Sequence, residues 1–133
     1  YVDTVMKPEF LSLARLIIGD AKRFAEIGRA YQASGPDRVL EGLTKYMARQ
    51  GTKKRLKIED PELAAEDFWG LILSAPRNKA LHIPDYAPSI DMLERYVHNG
   101  MKVFLRAYSV DVVKDLDKLS NLIESSSKKG VSR

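Results

Sequence analysis

The chain has 133 residues, 44% of them hydrophobic and 30% charged, with a formal charge of +4 at pH 7. That is the length of one domain, enough to bury roughly two thirds of its unfolded surface. The absence of cysteine excludes disulfides and thiolate metal sites, and no apolar run reaches the roughly 18 residues of a membrane span.

Helical periodicity runs through the sequence, and no segment alternates as a strand between turn signals. Pro8 suits the first position of a helix reaching about Phe24, with Phe10, Leu13, Ala14, Ile17, Ala21 and Phe24 at three- and four-residue steps. Residues 25–34 read as a further short helix. Gly35 then breaks the chain and Pro36 opens a helix to about Gln50, with Val39, Leu40, Leu43, Tyr46 and Met47 inward. "GTKKRLKIED" is a connector. Asp60 caps the next helix, with Pro61 at its first position and Glu62 favourable to the dipole. That helix is expected to end near Ser74, with Pro76 restarting a short turn through Leu81. "HIPDYAP" is a loop. Ser89 caps what reads as the longest helix, to Tyr108. Residues 110–126 are expected to form an additional helix and 127–133 a disordered tail. The fold class is all-α.

Two helices carry apolar residues over more than half their circumference, wider than the roughly 100° needed to rest on one core. On the second, Ile90, Leu93, Val97, Met101, Phe104 and Tyr108 form one stripe and Met92, Tyr96, Gly100, Val103 and Ala107 another. On the first, Ala65, Trp69 and Ile72 lie beside Ala64, Phe68, Leu71 and Ala75. One explanation is a monomeric bundle with both helices central. The other turns one stripe to the domain's own core and the other to a second copy, giving a four-helix, two-fold interface. In that arrangement Ala65, Trp69, Ile72, Met92, Tyr96, Gly100, Val103 and Ala107 face the partner, and Gly70 and Gly100 permit close backbone approach.

Reactive groups do not converge in this sequence. His82 falls in the proline-bounded loop and His98 on the polar sector of a helix, and no P-loop, H-E-x-x-H, G-x-S-x-G or dinucleotide turn occurs. The acidic run from Glu59 to Asp67 is explained by capping and solvation. We therefore expect no enzyme, no cofactor and no metal. Lys53, Lys54, Arg55 and Lys57 are the best phosphate contacts available, although such a short run in a connector is usually just solvated.

The ordered segments "RLIIGDAKRF", "GPDRVLEGLTKYMARQ", "LKIEDPELAAEDFWGLILSAPRNKAL" and "PSIDMLERYVHNGMKVFLRAY" resemble the C-terminal domain of TetR/AcrR transcriptional regulators, in particular the AefR-like branch. The resemblance covers about Pro8 to Tyr108. "DPELAAEDFWGL" and "VFLRAY" are its most specific pieces. It departs from the family at Ala25, where proline is common, and at Lys7, where a capping Asp or Ser is commoner. The resemblance implies a helical bundle of five to six helices spanning residues 1–109, dimerising through its last two family helices. It also implies a cytoplasmic repressor with a small apolar or amphipathic effector among the earlier helices. DNA binding then belongs to an N-terminal helix-turn-helix that these residues do not include, and the chain reads as a piece of a longer protein with no membrane partner. For the effector pocket the candidates are Arg15, Ile17, Phe24, Tyr46, Met47 and Phe68. Arg15, set among apolar neighbours, suits an acidic ligand group or a structural partner such as Asp20 or a nearby glutamate. The alternative function is a helical protein-interaction module without a small-molecule ligand.

Overall fold

The computed structural model describes residues 2–130, and they form helices in this order: α1 (Val2–Val5), α2 (Pro8–Asp20), α3 (Ala25–Ser34), α4 (Pro36–Thr52), α5 (Pro61–His82), α6 (Ile90–Tyr108) and α7 (Val112–Gly130). Among the described residues there is no strand, only one antiparallel bridge between Leu56 and Ser109. The all-α expectation holds. Helix α2 stops at Asp20, four residues short of the expected end, where the Ala21 N–H bonds the Ile18 carbonyl and the Arg23 N–H bonds the Asp20 carbonyl, each three residues back in the tighter 3-10 pattern. At its other end Lys7 supplies no side-chain cap.

The largest departure from the sequence reading is α5, which runs unbroken through Pro76. Proline in a helix interior removes the bond to the carbonyl four residues back, here that of Ile72, and costs about 3 kcal/mol. Pro76 is wholly buried, one turn from the buried Leu73 and Ala80. Continuous packing along this helix offsets the local penalty, so α5 and not α6 is the longest helix among the described residues. Its start follows the sequence signal: Asp60 Oδ1 accepts from the Glu62 N–H at 2.9 Å and the Leu63 N–H at 3.1 Å.

Helix α5 is the axis of the bundle, packed against α4, α6 and α2. Its first half joins Met47, Ala64, Ala65 and Phe104 in one core cluster, flanked by Phe68 and Tyr108. Its second half joins Met6, Leu11, Leu73, Ala80 and Leu93 in another, flanked by Trp69 and Ile72. The wide apolar arc of α5 is thus used largely inside this chain. Helix α7 reaches Gly130, beyond the end at residue 126 expected from sequence; the last three residues of the expected tail lie outside the described residues.

Candidate functional site

Helix α4 ends in a left-handed cap. The Lys54 N–H bonds the Gly51 carbonyl at 2.9 Å and the Arg55 N–H bonds the Gln50 carbonyl at 3.0 Å, the paired closure of a Schellman motif. Lys54 has φ 52°, at the position where glycine is usual because a Cβ is disfavoured there. The chain then runs beside the end of α6: the Lys57 N–H bonds the Tyr108 carbonyl at 2.7 Å and the Val110 N–H bonds the Arg55 carbonyl at 3.2 Å. Ser109, wholly buried, fixes the turn into α7. Its Oγ accepts from the Asp111 N–H at 3.0 Å and donates to Asp115 Oδ2 at 2.7 Å.

This stapling holds α7 across the ends of α4 and α6 and leaves a groove of about 970 Å³ between them. Met47, Phe68, Met101, Phe104, Leu105 and Leu119 supply apolar lining, with Tyr46 and Leu122 at more exposed positions. Lys54 and Arg55 from the connector, and Lys114 and Lys118 from α7, bring basic side chains to it. Asp111 and Asp115 also line it. Beside the groove, Phe104 meets Phe68 edge-on at 5.2 Å and stacks on Tyr108 at 4.5 Å. The Tyr108 hydroxyl donates to Asp67 Oδ2 at 2.5 Å. That bond to a carboxylate, which favours the neutral phenol, is the main cause that pushes the Tyr108 pKa up to about 12, with desolvation and the nearby negative charges adding to it.

Of the six pocket candidates, Tyr46, Met47 and Phe68 meet in this groove. The three from α2 and its exit do not reach it. The Arg15 guanidinium donates to the Ala80 carbonyl at 2.8 Å and to Ser12 Oγ at 3.3 Å, tying α2 to the end of α5 through a backbone acceptor and not through an acidic side chain. Ile17 is half-buried, and Phe24 lies under the Arg23 guanidinium at 5.1 Å. The contribution of α7 was missed. Its apolar spacing at Leu116, Leu119 and Ile123 is visible in sequence, but nothing there tells that it closes onto the "TKKRLK" connector.

The eight interface candidates also divide. Met92, Tyr96 and Val103 are 39, 37 and 38% exposed, and Ala107 is exposed beside them. Trp69 and Ile72 are half-buried against the core. Ala65 and Gly100 are buried within this chain. Ala65 faces the cluster around Met47 because α4 occupies that side of α5. At Gly100, an added Cβ would lie 2.8 Å from the Leu71 carbonyl oxygen and 2.9 Å from Ile72 Cγ2. The close approach it permits is therefore between α6 and α5 of one chain. Gly70 has nothing within 4 Å of such a Cβ.

Residues 1–110 match the family model for the C-terminal domain of AefR-like transcriptional repressors. The chain belongs to that family. A crystal structure described as a TetR-family transcriptional regulator from Mesorhizobium loti MAFF303099 superposes with a TM-score of 0.77 at 31% identity, over 82% of this chain and 54% of that one. The flavonoid-responsive regulator FrrA gives a TM-score of 0.63 at 22% identity, over 74% of this chain and 50% of FrrA, a likeness of fold alone. This TetR-family domain thus spans about half the length of the solved chains it resembles. No curated protein matches it. The family and these neighbours are transcriptional regulators, not enzymes, and among the described residues no helix is long and apolar enough to cross a membrane.

Proposed function

We propose that this domain is the dimerising, effector-responsive half of a TetR-family repressor. The observation that supports the reading is that α6 presents two apolar faces, one into the groove beside α5 and one to solvent. Phe68 of α5 and Met101, Phe104 and Leu105 of α6 line the groove, while Met92, Tyr96 and Val103 of α6 leave an exposed apolar stripe. A small apolar or amphipathic molecule in the groove therefore acts on the same helix whose exposed stripe joins two copies. Ligand binding favours one tilt of that helix over another and alters the separation of two upstream DNA-reading heads. Such heads must meet half-sites spaced about 34–36 Å apart, one helical turn of DNA, so a small tilt releases the operator.

The test begins with a native mass spectrum. We expect a species at twice the 15.0 kDa of this chain, and Val103→Glu, which places a charge in the exposed stripe, restores the single mass. A clean monomer for the unmodified chain overturns the dimer and favours the helical interaction module without a ligand. Operator affinity of the full-length repressor that stays unchanged with every groove-binding compound refutes the effector mechanism.

A further inference from the structure

We infer that the groove under α7 is built for an amphipathic anion, a molecule with an apolar body and a carboxylate-type head. The inference rests on the ligand-responsive reading above and narrows it to a chemical class. Helix α7 lies beyond the residues the family model matches.

Charge is the first argument. Four cations meet two carboxylates around the groove, and the carboxylates are already engaged. Asp111 Oδ1 accepts from the Lys114 N–H at 3.3 Å at the start of α7. Asp115 accepts from Ser109 and lies 3.8 Å from Lys118 Nζ. The side chains of Lys54, Arg55 and Lys114 have no hydrogen-bond or ion-pair partner among the described residues. A surplus of two positive charges beside an apolar floor matches a head-and-body anion, and a neutral ligand leaves that surplus unused.

Backbone conformation is the second argument, and it is independent of the first. Lys54 occupies the left-handed cap position at φ 52°, where glycine folds at lower cost. A lysine stands there despite the strain, and strain of this kind concentrates at functional sites. The Schellman closure and the Arg55–Val110 bond fix Lys54 and Arg55 next to the start of α7. The backbone that carries these cations is thus held in place by hydrogen bonds before any ligand arrives.

Decanoate and 1-decanol, equal in chain length and different in charge, are the probes, titrated calorimetrically into the whole 133-residue chain. We expect one decanoate per chain, bound more tightly than decanol. Lys54→Gly and the double change Arg55→Gln with Lys114→Gln each weaken decanoate by about two- to fivefold, the range for exposed charge pairs, and leave decanol unaffected. Lys54→Gly also raises Tm by about 2–4 °C as the left-handed strain is relieved, so weaker binding in that variant does not come from weaker folding. Arg38→Gln, an exposed change outside the groove, alters neither ligand. Equal affinity for the two probes, insensitive to the rim changes, overturns the anion inference and leaves the ligand-responsive reading standing. Failure of both probes to bind overturns the inference and removes the groove from that reading as well, while the native mass spectrum reports separately on the dimer.

Discussion

Replacing Gly100 by alanine tests the packing on which both surfaces depend. The added methyl lies 2.8 Å from the Leu71 carbonyl oxygen and 2.9 Å from both the Leu71 carbonyl carbon and Ile72 Cγ2. Ordinary contacts between carbons are about 3.5–4.0 Å, so α5 and α6 must part by several tenths of an ångström. Two of the three obstructing atoms are backbone and have no rotamer to adopt. Overpacking of this kind costs about 2–3 kcal/mol, and the better helix propensity of alanine returns about 1 kcal/mol. The net loss of about 1–2 kcal/mol lowers Tm by about 3–8 °C for a domain of this size. Gly42→Ala is the control. Gly42 is exposed within α4 and has nothing within 4 Å of an added Cβ, so propensity alone acts and Tm rises by about 3–4 °C. Circular dichroism melts at one fixed protein concentration compare the two, because any self-association makes Tm concentration-dependent. If Gly100→Ala stabilises as Gly42→Ala does, the close α5–α6 approach is refuted.

Tyrosinate absorbance followed from pH 9 to 13 should show one of the six tyrosines ionising near 12, and Asp67→Asn should return it toward 10. A folded pKa above the unfolded value means that the stabilising contribution is complete below about pH 10 and is lost as pH rises toward 12. Tyr108→Phe should therefore flatten the alkaline fall in stability across that window, and an unchanged slope in urea titrations argues against the Tyr108–Asp67 bond. Asp60→Ala removes the acceptor for two N–H groups at the start of α5 and should cost about 1 kcal/mol, read as a lower urea midpoint with unchanged slope. Phe104→Ala, which empties the buried centre of the Phe68–Phe104–Tyr108 stack, should cost about 3–5 kcal/mol. A loss under about 1 kcal/mol in thermal or urea unfolding contradicts its placement in the core.

What could be read from sequence follows the range over which each signal acts. Capping is local: Asp60 and Ser89 announce the starts of α5 and α6 through bonds to residues two or three positions on. Periodicity is nearly as local, and it gives the inward positions of α4 and one stripe of α6. Pro76 misled because its cost is local while the burial that offsets it comes from packing between helices. Ala65 and Gly100 misled differently. A wide apolar arc tells that a helix has two neighbours, and it does not tell whether the second is another helix of the same chain or a second copy. On α5 the answer is α4 at Ala65. On α6 it is α5 at Gly100, with Met92, Tyr96 and Val103 left exposed. The groove was the least legible feature. It depends on the Leu56–Ser109 bridge and the Val110–Arg55 bond, pairings across more than fifty residues that turn a solvated basic connector and an unassigned last helix into two sides of one groove. A left-handed lysine is invisible in a sequence, because nothing in "GTKKRLK" distinguishes Lys54 from its basic neighbours until the backbone closes over Gln50 and Gly51.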